Sequence, residues 1–314
     1  MKIKMYSKNN VCLIPTYRCN AGCPFCYAKK FKKIFSRDMS WSKFIDVVGV
    51  LRKNGINEIS FLGGEPTLWP HIGKAVKFLK NLNIQVNFFT NGIKRSTPAP
   101  DCVLINIYNS FSDSQRSKIK NTIAFYKKQG TEIGLRYNLN AEDPRSDKND
   151  LAFFDLAKTL ADYISISPAV PYRLLTHLGK RIYDLVLEAK KRNLEVKVSR
   201  PIPICVFTRE QFNYLRKAAS LRTECYSEKN IVINPDGETI FPCVNISDYP
   251  LKLPKIKLAS VNSAFRDFFE NLSCIYEFNE CIKCKYSRSH KCQAGCLGMR
   301  SRQAVSLATK QINE

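Results

Sequence analysis

No uninterrupted apolar run in this 314-residue chain approaches the roughly 20 residues that a membrane-spanning helix requires. Its opening, MKIKMYSKNNVCLIPTY, has neither the long apolar core nor the small-residue cleavage site of a secretory signal. These absences exclude a helical membrane protein, make the cytoplasm the expected compartment and leave no membrane partner to expect. Histidine is scarce, at His71, His177 and His290 only, so few imidazoles are on hand for zinc. Acidic residues are outnumbered, 27 Asp and Glu against 50 Lys and Arg, for a net charge of +23. A solvated Lys-rich surface accounts for such an excess. So does a field that draws an anionic partner: an acidic peptide, a phosphorylated metabolite or RNA. The run AKKFKK, from Ala28 to Lys33, favours the second reading because it directly follows a cysteine loop. No low-complexity linker interrupts the chain, and the only repeat is a strand–helix unit.

Cysteine, by contrast, is abundant. Thirteen are many for a cytoplasmic chain, where disulfides are rare and clustered thiols are better explained by metal ligation. Eight of them lie beyond residue 200, which suggests a second, cysteine-dense module.

From residue 11 to about 168, short apolar runs alternate with amphipathic segments. VCLIPTY, NEISFLGG, IQVNFFTNG, CVLINIY, EIGLRYNLN and YISISPA read as six strands. SWSKFIDVVGVLRKNG reads as a helix with Ser40 or Ser42 near its N-cap and Gly55 past its end. HIGKAVKFLKNLN, SDSQRSKIKNTIAFYKKQG and NDLAFFDLAKTLA are further helices, and a long one, PYRLLTHLGKRIYDLVLEAKKRN, follows the sixth strand. Repeated βα units imply an α/β fold with a parallel sheet, open or curled into a barrel. After LEVKVSRPIPICV the rhythm stops, and Pro201 and Pro203 mark a boundary. The expected domains are 1–200 and 201–314. The second contains a hairpin, IVINPDGETIFPC, turning at Pro-Asp-Gly.

Ligands of such sheets sit at the carboxyl ends of the strands. Cys12 and Cys102 fall at strand starts and read as core residues. Cys19, Cys23 and Cys26 follow a strand end, spaced C-x3-C-x2-C. Thiolates hold iron–sulfur clusters, normally four to a cubane, so three leave one iron open, as a catalytic metal requires and a structural one does not. A zinc knuckle with a fourth ligand from elsewhere is the alternative. On the fifth strand Arg136, Asn138 and Asn140 alternate with apolar residues and so share one face. Ser165 and Ser167 share a face on the sixth, and Tyr108, Asn109 and Ser110 close the fourth. Each is either an ordinary interior hydrogen-bonding group or a ligand contact.

The loop, with Phe25 before Cys26, resembles the signature of radical S-adenosylmethionine (radical SAM) enzymes. FLGGEPTL, Phe61 to Leu68 at the second strand's end, is similar to that family's GGEP motif, and FTNG ends the third strand as it often does there. The resemblance implies a partial (β/α)6 TIM-like barrel. It also implies that Cys19, Cys23 and Cys26 ligate a [4Fe–4S] cluster whose fourth iron is chelated by SAM. Phe25 would pack near the adenine, Gly63, Gly64 and Glu65 would hold the methionyl end, and Arg136 and Asn138 are the best further contacts to SAM or substrate. Reductive cleavage of SAM to a 5′-deoxyadenosyl radical is the implied activity, with an electron donor such as flavodoxin or ferredoxin.

The tail holds Cys205, Cys225, Cys243, Cys274, Cys281, Cys284, Cys292 and Cys296. It resembles the SPASM/twitch extension of that family, which carries one or two auxiliary [4Fe–4S] clusters. By that resemblance Cys205, Cys225, Cys243 and Cys296 hold an inner cluster. Cys281, Cys284 and Cys292 hold an outer one, with Cys274 standing in for a missing ligand. The rival is a single cluster on Cys225, Cys243, Cys281 and Cys284. Three departures put the number in question: Gly237 to Cys243 and Cys284 to Cys292 are longer than usual, and no cysteine follows Cys296. His290 is expected to be exposed rather than a ligand.

The resemblance further implies oxidation, cross-linking or maturation of a peptide or small protein, and the excess positive charge suits an acidic one. Only 18 residues precede Cys19, so no N-terminal peptide-recognition domain is expected, and a peptide would bind directly or through a partner protein. A dehydrogenase of a small sugar or aminocyclitol is the alternative. RNA modification ranks third, since no aromatic-and-basic stacking pattern accompanies the charge. No side chain stands out as a catalytic acid or base.

Overall fold

The computed structural model describes residues 10–23, 26–107, 111–139, 147–169, 176–223, 225, 231–246, 250–252, 281, 283–289, 292 and 295–296. β1 (Asn10–Leu13) precedes α1 (Trp41–Lys53), which starts where Ser40 Oγ accepts the Lys43 N–H and buries Phe44, Val47, Val48 and Leu51 on one stripe. Gly55 follows it at φ +74°, a left-handed stop that glycine adopts freely. β2 (Glu58–Phe61), α2 (Ile72–Asn81), β3 (Gln85–Thr90) and β4 (Cys102–Ile107) continue the alternation. α3 (Asp113–Lys128) opens on a reciprocal cap between Ser112 and Gln115. β5 (Glu132–Leu139), α4 (Asp147–Leu160), β6 (Tyr163–Pro168), α5 (Thr176–Lys191) and β7 (Val196–Val198) follow. Beyond them come α6 (Arg209–Ala218), β8 (Ser220–Leu221), β9 (Ile231–Ile233), β10 (Thr239–Phe241) and β11 (Leu251–Lys252). The fold is the α/β class expected, a parallel array of βα units of the partial-barrel type. α6 is an addition to the helices read from the sequence.

The chain gathers into two compact units. The first contains β1 to β4 with α1 to α3, and also β9 to β11. Its strand order is β11-β10-β9-β1-β2-β3-β4. β1 pairs in parallel with β2 through Val11↔Ile59 and Leu13↔Phe61, and on its other edge with β9 through Cys12↔Val232. β9 and β10 form the expected hairpin, antiparallel, with Gly237 at φ +68° in its turn. The hairpin, assigned by sequence to 201–314, therefore packs in the unit that carries the three-cysteine loop. The second unit holds β5 from Gly134 on, β6, β7 and β8, in that order, with α4, α5, α6 and the described residues from 281 onward. Its register sets Arg136 beside Ser165 and Asn138 beside Ser167.

Candidate active site

In the first unit, the chain leaving β1 is held on both sides before it reaches Cys19. On one side runs the turn that follows β2. Leu62 N–H donates to the Leu13 carbonyl at 3.0 Å, Gly64 N–H to Thr16 at 3.0 Å and Glu65 N–H to Arg18 at 2.8 Å. No side chain fits there. A Cβ on Gly64 would stand 2.2 Å from the Arg18 carbonyl oxygen, and one on Gly63, at φ +136°, 2.6 Å from Ile14 Cγ2. Only glycine tolerates both this approach and this conformation. The close approach these glycines permit is thus made, within the chain, to the segment that delivers Cys19. On the other side Thr16 Oγ1 donates to Asp38 Oδ1 at 2.6 Å and Met39 N–H donates to the Pro15 carbonyl at 2.8 Å. The Arg18 guanidinium pairs with Asp38 and donates to the Leu68 carbonyl at 2.7 Å.

Glu65 ties this turn to the end of β3. Its Oε1 accepts the Thr67 N–H at 3.1 Å and the hydroxyls of Thr67 and Thr90 at 2.7 Å each, and its Oε2 accepts the Asn91 N–H at 2.8 Å. Complete burial pushes its pKa up, and these hydrogen bonds oppose the shift. The result is a fixed Asn91, whose amide donates to Asn20 Oδ1 at 2.8 Å and reaches Cys19 Sγ at 3.9 Å. Ala21 N–H donates to the same sulfur at 3.4 Å. Burial raises the Cys19 pKa, the Ala21 N–H lowers it, and Glu65, Cys23 and Cys26 raise it. Sequence reading notes Asn91 only as the end of a strand; its hold on the cysteine loop is added by the structure.

Cys19, Cys23 and Cys26 are half-buried and free of disulfides. Cys26 N–H donates to the Cys23 carbonyl at 3.3 Å. Among the described residues, no three His, Cys, Asp or Glu side chains converge as ligands of a single metal ion. An iron–sulfur cluster is wider than one ion. Three soft thiol donors in one loop, with N–H groups already aimed at one sulfur, suit it chemically.

The hairpin covers this loop. Ile14, Tyr17, Ala28, Phe31, Val232 and Phe241 form a buried cluster, with Cys12 and Cys26 packed against it. Tyr17 OH donates to Asn234 Oδ1 at 2.6 Å, and Phe31 meets Phe241 at 5.2 Å between centroids. Cys102 is buried, as expected of a core residue. Cys12 is only partly so, and its thiol is pushed up to about 12 by desolvation first and then by Cys243 and Glu58. His71 packs tilted against Trp41 at 5.9 Å and edge-on to Trp69 at 5.5 Å, an aromatic packing role.

In the second unit the polar face expected on β5 and β6 is present. Arg136 and Asn138 are part-exposed. Opposite them Ser165 and Ser167 are 1% exposed, and their hydroxyls are buried without a hydrogen-bond partner. Arg200, just beyond β7, buries Nη1 in the same way. Such groups are costly unless something bonds them, and they suit a polar ligand. Tyr163 closes the amino end of this face: a Cβ on Gly134 would lie 2.3 Å from its ring, and Lys197 Nζ sits 3.7 Å above that ring.

Of the tail cysteines, Cys225, Cys281 and Cys296 are buried, Cys243, Cys284 and Cys292 half-buried, and Cys205 exposed. Cys243 lies in the first unit and the others in the second. Cys284 N–H donates to the Cys281 carbonyl at 3.2 Å, a one-turn helix Lys285–Arg288 follows, and Cys292 N–H returns to the Tyr286 carbonyl at 3.1 Å. Desolvation raises the pKa of the Cys205 thiol most, followed by Cys292 and Cys281, while its own backbone N–H lowers it and Cys284 raises it. Phe25, Tyr108, Asn109, Ser110, Asn140, Cys274 and His290 lie outside the described residues, and His177 falls in the first turn of α5.

Residues 13–101 match the family model described as Radical SAM superfamily. An S-adenosylmethionine-dependent nucleotide dehydratase of Flammeovirga pacifica is 33% identical over 100 residues, which is 28% of this chain and 33% of that protein. A second dehydratase of that description, from Thermoplasmatales archaeon (strain ISO4-H5), is 28% identical over 24% of this chain and 26% of its own length. The sporulation killing factor maturation protein SkfB of Bacillus subtilis (strain 168) is 33% identical over 25% of this chain and 19% of its own length. The chain thus spans a third or less of the curated relatives it matches. Among solved structures, Streptococcus suis SuiB bound to precursor peptide SuiA has a TM-score of 0.63 at 16% identity, over 88% of this chain and 69% of that one. Native anSMEcpe with bound AdoMet has 0.63 at 17% identity, over 91% and 89%. These last two likenesses establish the fold alone.

Proposed function

We propose that the chain, whose residues 13–101 match the radical SAM superfamily model, is a member of that superfamily that reductively cleaves SAM and modifies a side chain of a peptide or small protein. The observation that carries the reading is the braced loop at the carboxyl ends of β1, β2 and β3. There the GGE turn and Asn91 fix the approach to Cys19. Cys19, Cys23 and Cys26 are the residues that would hold the [4Fe–4S] cluster, with SAM at its remaining iron. When bound, the cluster supplies the electron for SAM cleavage, delivered by a donor of the flavodoxin or ferredoxin kind. Gly63 and Gly64 keep the loop seated against the end of β2. Glu65 holds Asn91, and the Asn91 amide and Ala21 N–H favour the thiolate form of Cys19. The Phe31–Phe241 packing beneath the hairpin excludes water from the side of Cys26 that it covers. The unpartnered hydroxyls of Ser165 and Ser167, with Arg136 and Asn138, are proposed as contacts to SAM or substrate. The tail cysteines are proposed as ligands of auxiliary [4Fe–4S] clusters.

A peptide substrate is supported by the likeness to a killing-factor maturation protein, and by a fold shared with a protein crystallised on its precursor peptide. The +23 charge suits an acidic peptide. The two dehydratase relatives favour a second reading, a nucleotide substrate, which the same charge suits through its phosphates. Anaerobic incubation of reconstituted, reduced protein with SAM tests the class: 5′-deoxyadenosine is expected, and its absence overturns the reading. Adding acidic peptides in one arm and nucleoside triphosphates in another separates the substrates by which of them accelerates that release and gains or loses mass.

A further inference from the structure

We propose that the exposed basic segment from Lys29 to Arg37 is the docking face for an acidic electron-transfer protein that reduces the cluster of the cysteine loop. The inference rests on the radical SAM reading and adds where the electron enters. Reductive cleavage consumes an electron for each SAM, and the side chains of the loop do not supply it, so a reduced partner must come close. A substrate needs an opening into the site. An electron donor needs only a surface near the ligands.

From Cys26 to Arg37 the sequence has five basic residues and no acidic one. Lys29, Lys30, Lys32, Lys33 and Arg37 are all exposed, and Ile34 among them is 66% exposed. Packing explains the pattern. The rings of Phe31 and Phe35 each lie 5.4 Å from that of Tyr17, and Phe31 also meets Phe241. With those two positions committed to the interior, residues 32–34 between them are left outside. A lone exposed isoleucine is ordinary. One set among charges of a single sign gives a small apolar contact with a charged rim. Asp38, the next acid along the chain, does not neutralise the patch, because it pairs with Arg18 and accepts the Thr16 hydroxyl.

The patch is joined to both ends of the cysteine loop. Its 3-10 turn, Tyr27–Phe31, begins directly after Cys26, whose carbonyl accepts the Lys29 N–H at 3.4 Å, and Phe35 N–H donates to the Phe31 carbonyl at 2.8 Å. Tyr17, on which both phenylalanines pack, stands two residues before Cys19, and Cys26 packs against the same buried cluster. The charge is therefore presented on the Cys26 side of the loop. The GGE turn and Asn91 hold the Cys19 side, at the strand ends where SAM and substrate would bind. Positive charge so placed steers an acidic partner toward the cluster's near edge. The transfer moves one electron: the donor is oxidised by one, the cluster is reduced by one, and no bond forms between the proteins.

Two readouts on the reconstituted full chain test this, with flavodoxin as the acidic donor. The first is binding of oxidised flavodoxin by titration calorimetry, which involves no turnover. Lys32→Glu/Lys33→Glu/Arg37→Glu should raise its Kd by about tenfold or more, since attraction becomes repulsion at three positions. Raising salt from about 50 to about 200 mM should weaken binding to the natural chain and not to the variant. The second is SAM cleavage without added substrate, driven either by flavodoxin kept reduced by NADPH and its reductase, or by dithionite, which needs no docking face. The variant should lose about tenfold or more of the flavodoxin-driven rate at sub-saturating donor, and keep the dithionite-driven rate within about twofold. An equal Kd for the two proteins overturns the proposal, and so does a dithionite-driven rate that falls as far as the flavodoxin-driven one. Unchanged flavodoxin binding with lost affinity for a polyglutamate peptide would make this a peptide face and overturn it as well. Absence of dithionite-driven cleavage by the natural chain would instead overturn the radical SAM reading on which the proposal rests.

Discussion

The Tyr17 hydroxyl donates a 2.6 Å hydrogen bond to Asn234 Oδ1, joining residues 217 apart in the sequence. Tyr17 stands two residues before Cys19, and Asn234 opens the turn of the β9–β10 hairpin, where its own amide donates to the Thr239 carbonyl at 2.9 Å. The bond fastens the late hairpin onto the early cysteine loop. It adds to the parallel β9–β1 ladder in holding the hairpin beside β1.

Tyr17→Phe should therefore destabilise the protein by about 1–2 kcal/mol, because it leaves Asn234 Oδ1 buried without its donor. Both residues are at most 2% exposed, so water does not readily replace the hydroxyl. Urea unfolding of the variant, with the slope m unchanged, checks the figure. A midpoint equal to that of the natural chain would mean that the bond contributes nothing.

This pairing also marks the limit of what the sequence discloses. The βα array is legible because each strand is a short apolar run and each helix an apolar stripe bounded by caps, as at Ser40 and Gly55. The candidate metal loop is legible because its ligands are local. α6 is less so: Phe212 and Leu215 stand three apart among charged residues, but the stretch is short and only Leu215 is buried. The Thr208–Gln211 capping box is the signal that was available. The parallel pairing of β9 with β1 has no local signature at all. Nor do the roles of Asn91 and Asn234, which depend on neighbours set by register. Arg136 beside Ser165 is intermediate: period two gives each strand's face, but only the register puts the two faces together.

Glu65→Gln should cost about 2 kcal/mol, since the new amide nitrogen would confront the Asn91 N–H that Oε2 now accepts. It should also remove a pH dependence. The folded-state pKa of Glu65 lies above its ordinary value, so the folded protein holds this proton more tightly than the unfolded chain. Stability from this group is then greatest below the unfolded pKa and falls as pH rises through the raised folded value. Melting temperatures of the two proteins measured across the mildly acidic range should converge as pH rises, and parallel curves would contradict the assignment.

Gly64→Ala should displace the cysteine loop rather than merely strain the turn. Its Cβ would meet the Arg18 carbonyl oxygen at 2.2 Å, and backbone must move because no flexible side chain is there to yield. Overpacking of this kind costs about 1–3 kcal/mol. The shift falls one residue from Cys19, so iron retained by the N-terminal cluster should drop while the tail's content holds. Unchanged total iron, with an unchanged melting temperature, would show that the loop adapts.

Replacing Cys19, Cys23 and Cys26 together by Ala should abolish 5′-deoxyadenosine formation and leave the tail intact. The three side chains are half-buried, and only Cys26 packs against the hairpin cluster, so the fold should survive with little loss. Total iron then discriminates between arrangements. With two auxiliary clusters the natural protein should hold roughly 12 irons and the triple variant roughly 8, at four per cubane. With one auxiliary cluster the corresponding values are roughly 8 and 4. Retained SAM cleavage in the triple variant would remove the catalytic role from this loop. A loss of all iron would mean instead that the tail cysteines, Cys205 among them, hold none of their own.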